Sequence, residues 1–239
     1  RAAAGQVVES NTEALNDEVS AIHAEQAQGG AVPEIRYADV AAGAVSAATI
    51  ARIKRRGCVV IRGVFDPAQV AAWNEAIVRY IDEVGYLARM ADKAGLDKYF
   101  SGLGSSRPQI YSLYWSKPQM QARQHEHMAT TRAWLNRLWT FEKNGQRLFD
   151  PDRQFNYADR IRRREAGDKT LGLSPHSDGG SVERWCEPTF RHVYRAVFQG
   201  DPLAFDPFDA EGRTTTREIP SPAVCSAFRT FQGWTALTR

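Results

Sequence analysis

Cysteine is scarce in this chain. The three that occur, Cys58, Cys186 and Cys225, stand far apart. They form no C-x-x-C pair and, being odd in number, no disulfide framework, which points to a reducing compartment. Cys58 and Cys225 lie in apolar runs and are expected in the core. Long hydrophobic runs are missing as well. Nothing approaches the roughly 18 apolar residues that span a bilayer, and the Ala-rich piece from Val40 to Ala51 is broken by Gly43, Ser46 and Thr49. A cytoplasmic protein with no membrane partner is therefore expected. A one-sided charge is lacking too: 31 Lys and Arg face 28 Asp and Glu, for a net charge of +3. That balance argues against a nucleic-acid partner. Absent also are a P-loop, a G-x-G-x-x-G after a strand, and a G-x-S-x-G elbow. Nucleotide-cradling and serine-hydrolase chemistry lose their usual signatures. The chain opens on Arg1 rather than Met and closes on Thr238-Arg239 straight after a strand-like run, so a fragment lacking its C-terminal part is expected.

What is present begins with an Ala-, Gln- and Glu-rich stretch over residues 1–45, expected to be a poorly packed helical arm ended by Gly29-Gly30 and Pro33. Residues 46–239 are expected to form the N-terminal and central part of one domain, helical to about 150, with strands from about 155. Ser46 to Arg56 reads as a helix stopped by Gly57. Cys58 to Phe65 is β-branched and reads as a buried strand. Asp66-Pro67 supplies an N-cap and an N1 proline to a helix with Val70, Trp73, Ile77 and Ile81 on one face. Residues 85–106 read as a loop, Gln109 to Trp115 as a strand, and Pro118 to Trp139 as one helix. Beyond Asp150, strand-like runs at Tyr157–Arg164, Thr170–Leu173 and Ala223–Leu237 flank a short helix near Pro188–Phe198. The fold class this order predicts is α+β, with a sheet that closes into a sandwich or jelly roll.

The element that bears chemistry is Pro175-His176-Ser177-Asp178-Gly179-Gly180. On an extended strand residues i and i+2 point to one side, so His176 and Asp178 would project together. An imidazole and a carboxylate are two of the three ligands of the facial triad in non-haem Fe(II) oxygenases. The two glycines let the backbone turn away and leave space beside a metal. A third ligand is harder to find. His192 falls on an expected helix, His23 in the arm, and His125 and His127 would diverge by roughly 200° on a helix. The cluster Arg160-Ile-Arg-Arg-Arg164 reads either as a solvated, paired strand face or as a phosphate-binding patch.

The string from Leu171 to Trp185, the Asp206-Pro-Phe-Asp209 segment and the run from Ile219 to Arg239 together resemble a domain-of-unknown-function family that includes the bacterial YbiU proteins. Its members look like distant relatives of the phytanoyl-CoA dioxygenases. The resemblance implies N-terminal helices packed on a double-stranded β-helix of cupin type, and an Fe(II)/2-oxoglutarate site with His176 and Asp178 as metal ligands. It implies an inner strand over Phe228–Leu237, with Thr230, Gln232 and Trp234 on one face and Gln232 and Trp234 meeting cosubstrate or substrate. It also implies a distal histidine and a carboxylate-binding basic residue beyond Arg239, so that the fragment alone would be inactive on its small-molecule substrate. A non-catalytic cupin-like binding protein is the alternative, and a zinc hydrolase a more distant one.

Overall fold

The computed structural model describes residues 2–91, 109–156, 158–164, 167, 185–188, 190–214 and 228–238. These residues form helices and three two-stranded sheets, and no closed barrel. The α+β class stands at that level. The chain divides into two compact units that interleave along the sequence.

The first unit comprises Arg1–Arg62, Thr130–Gln154 and Ser177–Gly233. It opens with helix α1, Ala2–Ala27, which is docked along its length. Ser10 Oγ donates to the Gly200 carbonyl at 2.8 Å and Asn11 Nδ2 to that of Val197 at 3.1 Å. Further along, Glu18 and Glu25 pair with Arg55 and Arg56. After the positive-φ pair Gly29 and Gly30, strand β1, Glu34–Arg36, runs parallel to β2, Val60–Arg62, with Ile35 opposite Ile61. Between them lie α2, Tyr37–Ala41, and α3, Ala47–Arg56. The caps of α3 fall where the residues place them: Ser46 Oγ accepts from the Thr49 amide, and Gly57 sits at φ 66°, a conformation that costs glycine little. The expected strand over 58–65 is shorter, and Cys58 is exposed rather than buried.

The core of this unit gathers Ile35, Val40, Ile53, Leu138, Trp139, Phe208 and Ala210, with Phe228 and Phe231 packed against it. Trp139 meets Phe228 edge-on at 5.0 Å. Ile53 is 1% exposed, a burial worth about 1.5–3 kcal/mol. The insertion of Phe228 and Phe231, three residues apart, replaces the two-residue alternation expected there, and residues 228–238 form no strand. A hairpin joins β4, Glu142–Lys143, to β5, Gln146–Arg147. Its turn residues Asn144 and Gly145 both have positive φ, which is the backbone that a two-residue hairpin needs. Lys143 Nζ bonds Asp209 at 2.9 Å and Glu211 at 2.6 Å. Burial pushes the Asp209 carboxyl up, but its bonds to Lys143 and to the Glu211 amide outweigh this and hold it below the usual range.

The second unit comprises Gly63–Ala129, Phe155–His176 and Trp234–Arg239. Helix α4, Pro67–Glu83, starts as expected: Asp66 Oδ1 accepts from the Ala68 and Gln69 amides, Pro67 opens the first turn, and Trp73, Ile77 and Ile81 are buried. Helix α5, Tyr86–Ala91, occupies the start of the expected loop. Strand β3, Ile110–Tyr111, pairs antiparallel with β6, Ile161–Arg162. The core here is Ile77, Ile81, Tyr86, Tyr111, Leu113 and Ile161.

The single helix expected over Pro118–Trp139 is two. Helix α6, Lys117–Gln124, begins with a capping box between Ser116 and Gln119, and α7 is Glu126–Asn136. The break falls at His125, whose backbone is extended at φ −65°, ψ 138°. Its Nδ1 accepts from the His127 amide at 3.1 Å. A side-chain acceptor thus satisfies an amide that a continuous helix would pair with a carbonyl.

Candidate functional site

His176 and Asp178, with the flanking Pro175, Gly179 and Gly180, lie outside the described residues, as does the expected strand Thr170–Leu173. Gln232 and Trp234 are described. Gln232 is exposed, and Trp234 is 76% exposed. Thr230, from the same expected strand face, bonds its Oγ1 to Asn136 Oδ1 at 2.6 Å, an internal contact in the first unit.

The remaining histidines are all placed. His23 is exposed on α1. His192 lies in a 3-10 turn, Arg191–Tyr194, and its Nε2 is 2.9 Å from the Gly212 carbonyl. A carbonyl can only accept, so that nitrogen carries the proton and cannot ligate a metal in this arrangement. His125 and His127 differ from expectation. Because the helix breaks between them, their rings meet edge-on with centroids 4.7 Å apart. His127 Nδ1 lies 2.8 Å from the Val64 carbonyl and must therefore donate, which leaves Nε2 as the basic nitrogen of the neutral ring. Phe65 and Trp73 complete the cluster, each meeting the His125 ring edge-on. Nevertheless, among the described residues no group of three or more His, Cys, Asp or Glu is arranged to hold a metal ion.

Two further arrangements carry polar groups. In the first unit an open groove of about 720 Å³ is lined by Glu34, Arg36, Asp39, Ser46, Thr49 and Arg62 among others. Its strongest charges are matched internally, since Arg62 pairs with Glu34 at 2.9 Å and holds that carboxyl below its ordinary value. In the second unit, arginines stack on aromatic rings. The Arg123 guanidinium lies 5.2 Å from the Trp115 ring centroid, Arg160 5.9 Å from Tyr114, and Arg162 5.9 Å from Trp234. Alternation in Arg160-Ile161-Arg162 was the signal for a strand. Nothing in the sequence showed which rings it would meet.

The mixed helical and small-sheet architecture of the described residues defines an α+β protein. The chain belongs to the Gig2-like family, whose model matches residues 2–239. It is 46% identical over 223 residues to the uncharacterized protein YbiU of Escherichia coli strain K12, covering 92% of this chain and 52% of YbiU. Among solved structures it is similar to a candidate oxidoreductase of Salmonella typhimurium LT2, at 42% identity and TM-score 0.82, covering 99% of this chain and 58% of that one. It is also similar to the GlcNAc-inducible gene 2 protein of Candida albicans, at 27% identity and TM-score 0.70, covering 96% and 47% of the two chains. The chain thus spans about half the length of the relatives it matches. Among the described residues no helix is long and apolar enough to cross a membrane.

Proposed function

We propose that the whole protein is an Fe(II)/2-oxoglutarate-dependent dioxygenase of the cytoplasm, built on a double-stranded β-helix and oxidising a small molecule rather than acting on nucleic acid or a membrane. The observation that carries this reading is His176-Ser-Asp178 followed by Gly179-Gly180, in a chain of the Gig2-like family. The relative from Salmonella that is named as a candidate oxidoreductase supports the reaction class. The donor chemistry suits the metal: one imidazole nitrogen and one carboxylate oxygen are the mixed set that non-haem Fe(II) sites use, with open positions left over. Bound iron and 2-oxoglutarate would supply the oxidising chemistry with O₂. The chain's own residues would position them. His176 and Asp178 would be two of the metal's ligands, the two glycines would add no side chain beside it, and Gln232 and Trp234 would meet cosubstrate or substrate.

Anaerobic titration of the intact protein with Fe(II) and 2-oxoglutarate tests this. A visible charge-transfer band should grow with the cosubstrate, and His176→Ala should remove it. If the wild type shows no band, the reading gives way to a non-catalytic cupin-like binding protein.

A further inference from the structure

Strand β6 and its N-terminal flank expose two arginines, Arg160 and Arg162, that no acid among the described residues pairs. Ile161 is buried at 7% exposure, while Arg160 and Arg162 on either side are exposed. Pairing of β6 with β3 extends one residue further, since the Arg163 amide donates to the Gln109 carbonyl at 3.1 Å. Residues 161–163 therefore pair with β3, and Arg160 and Arg162 are both exposed on either side of the buried Ile161. Each guanidinium is laid on a ring, Arg160 on Tyr114 and Arg162 on Trp234, both at 5.9 Å. One acidic neighbour, Asp159, is engaged elsewhere, its Oδ1 lying 3.2 Å from Arg123 Nε, and the other, Glu165, lies outside the described residues. Among the described residues neither Arg160 nor Arg162 has an acidic partner.

This arrangement differs from an ordinary charged surface in two respects. A cation–π contact with a ring face favours some rotamers of a long side chain over others, so less freedom is lost when an anion arrives. The two arginines are also two residues apart, a backbone step on the order of 7 Å in extended chain. That spacing suits two anionic groups on one small molecule, or a phosphate group shared between the arginines. We propose that the outer face of β6 is an anion-binding site, in which Arg160 and Arg162 together hold a small dianion, a dicarboxylate or a phosphate compound. The exposed Trp234 borders the site and offers an apolar ring to the body of the ligand. The site shares Trp234 with the iron reading, and titration without metal tests the anion binding apart from that reading.

The test is titration of the intact, metal-free protein with succinate, inorganic phosphate and pyrophosphate. Acetate at matched ionic strength serves as the monovalent control, and calorimetry and tryptophan fluorescence as readouts. At least one dianion should bind more tightly than acetate, and which one does so identifies the source of the charge. Replacing both arginines, Arg160→Gln with Arg162→Gln, should weaken that binding by on the order of tenfold, and either alone by up to about fivefold, as expected for exposed charge pairs. Arg153→Gln, an exposed arginine elsewhere, should leave it unchanged. Circular dichroism of the double variant verifies that it is folded. Dianions that bind no better than acetate, or binding that survives loss of both arginines, would overturn the proposal.

Discussion

Two basic clusters, Lys54-Arg55-Arg56 and Arg160-Ile-Arg-Arg-Arg164, look alike as text and have opposite fates in the molecule. The first ends helix α3, where cations are favoured by the helix dipole. There Arg55 bonds Glu18 at 3.0 Å, and Arg56, only 4% exposed at its side chain, bridges Glu18 and Glu25. These bonds lower the pKa of both glutamates and raise that of Arg56. The second cluster lies on a strand whose alternate face is core, with Arg160 and Arg162 laid on rings and left without acidic partners among the described residues. A basic run binds a protein's own acids when a long helix brings them alongside. It remains available to a ligand when its neighbours are aromatic.

The contrast can be broken most forcefully from beneath the first cluster. Ile53→Ala removes the 1% exposed side chain on the inner face of α3 and should cost about 2–5 kcal/mol. Chemical denaturation should show a lower midpoint with little change in slope.

Next in size is loss of the anchor itself. Arg56→Leu should free α1 from α3, seen as faster amide exchange along Ala2–Ala27 while α4 keeps its protection. Acid should do the same more gently. Glu18 and Glu25 have folded pKa values below their ordinary 4.5, so their contribution is present above that value and is lost as pH falls through the lowered ones. Protection factors in α1, with the intrinsic pH dependence of amide exchange removed, should therefore fall on acidification below about pH 4.5, and this fall should be smaller in Arg56→Leu. An α1 whose exchange ignores both changes would mean that these ion pairs do not anchor it. The smallest effect belongs to the second cluster. Arg160→Gln with Arg162→Gln should move stability by no more than about 0.5 kcal/mol, measured by the same denaturation. A larger loss would make those arginines structural and erase the contrast.

Much of the local structure was legible. Ser46 and Gly57 bound α3, and Asp66-Pro67 starts α4 because caps and an N1 proline act through neighbouring backbone groups alone. The buried positions Trp73, Ile77 and Ile81 follow from helical period. Strand lengths were not legible, because a β-branched run such as Cys58–Phe65 forms ladder bonds only where a partner lies alongside. Here β1 pairs with just Val60–Arg62. The break at His125 was hidden for a related reason: an imidazole can take the place of a helix carbonyl, and propensity does not foresee it. The motif His176-x-Asp178 needed no structure to be noticed, and its placement lies outside the described residues. Strand alternation singles out Gln232 and Trp234, whereas a three-residue spacing places Phe228 and Phe231 against an aromatic core.

The sequence by itself determined the α+β class, the capped helices, the family and the His176-x-Asp178 motif, since each rests on neighbouring residues or on continuous strings. Only the tertiary structure decided which arginines are neutralised. The fate of a charge depends on which side chains meet it in space. Glu18 and Glu25 lie 37, 38 and 31 positions from the arginines they hold, a distance along the chain that no local pattern encodes.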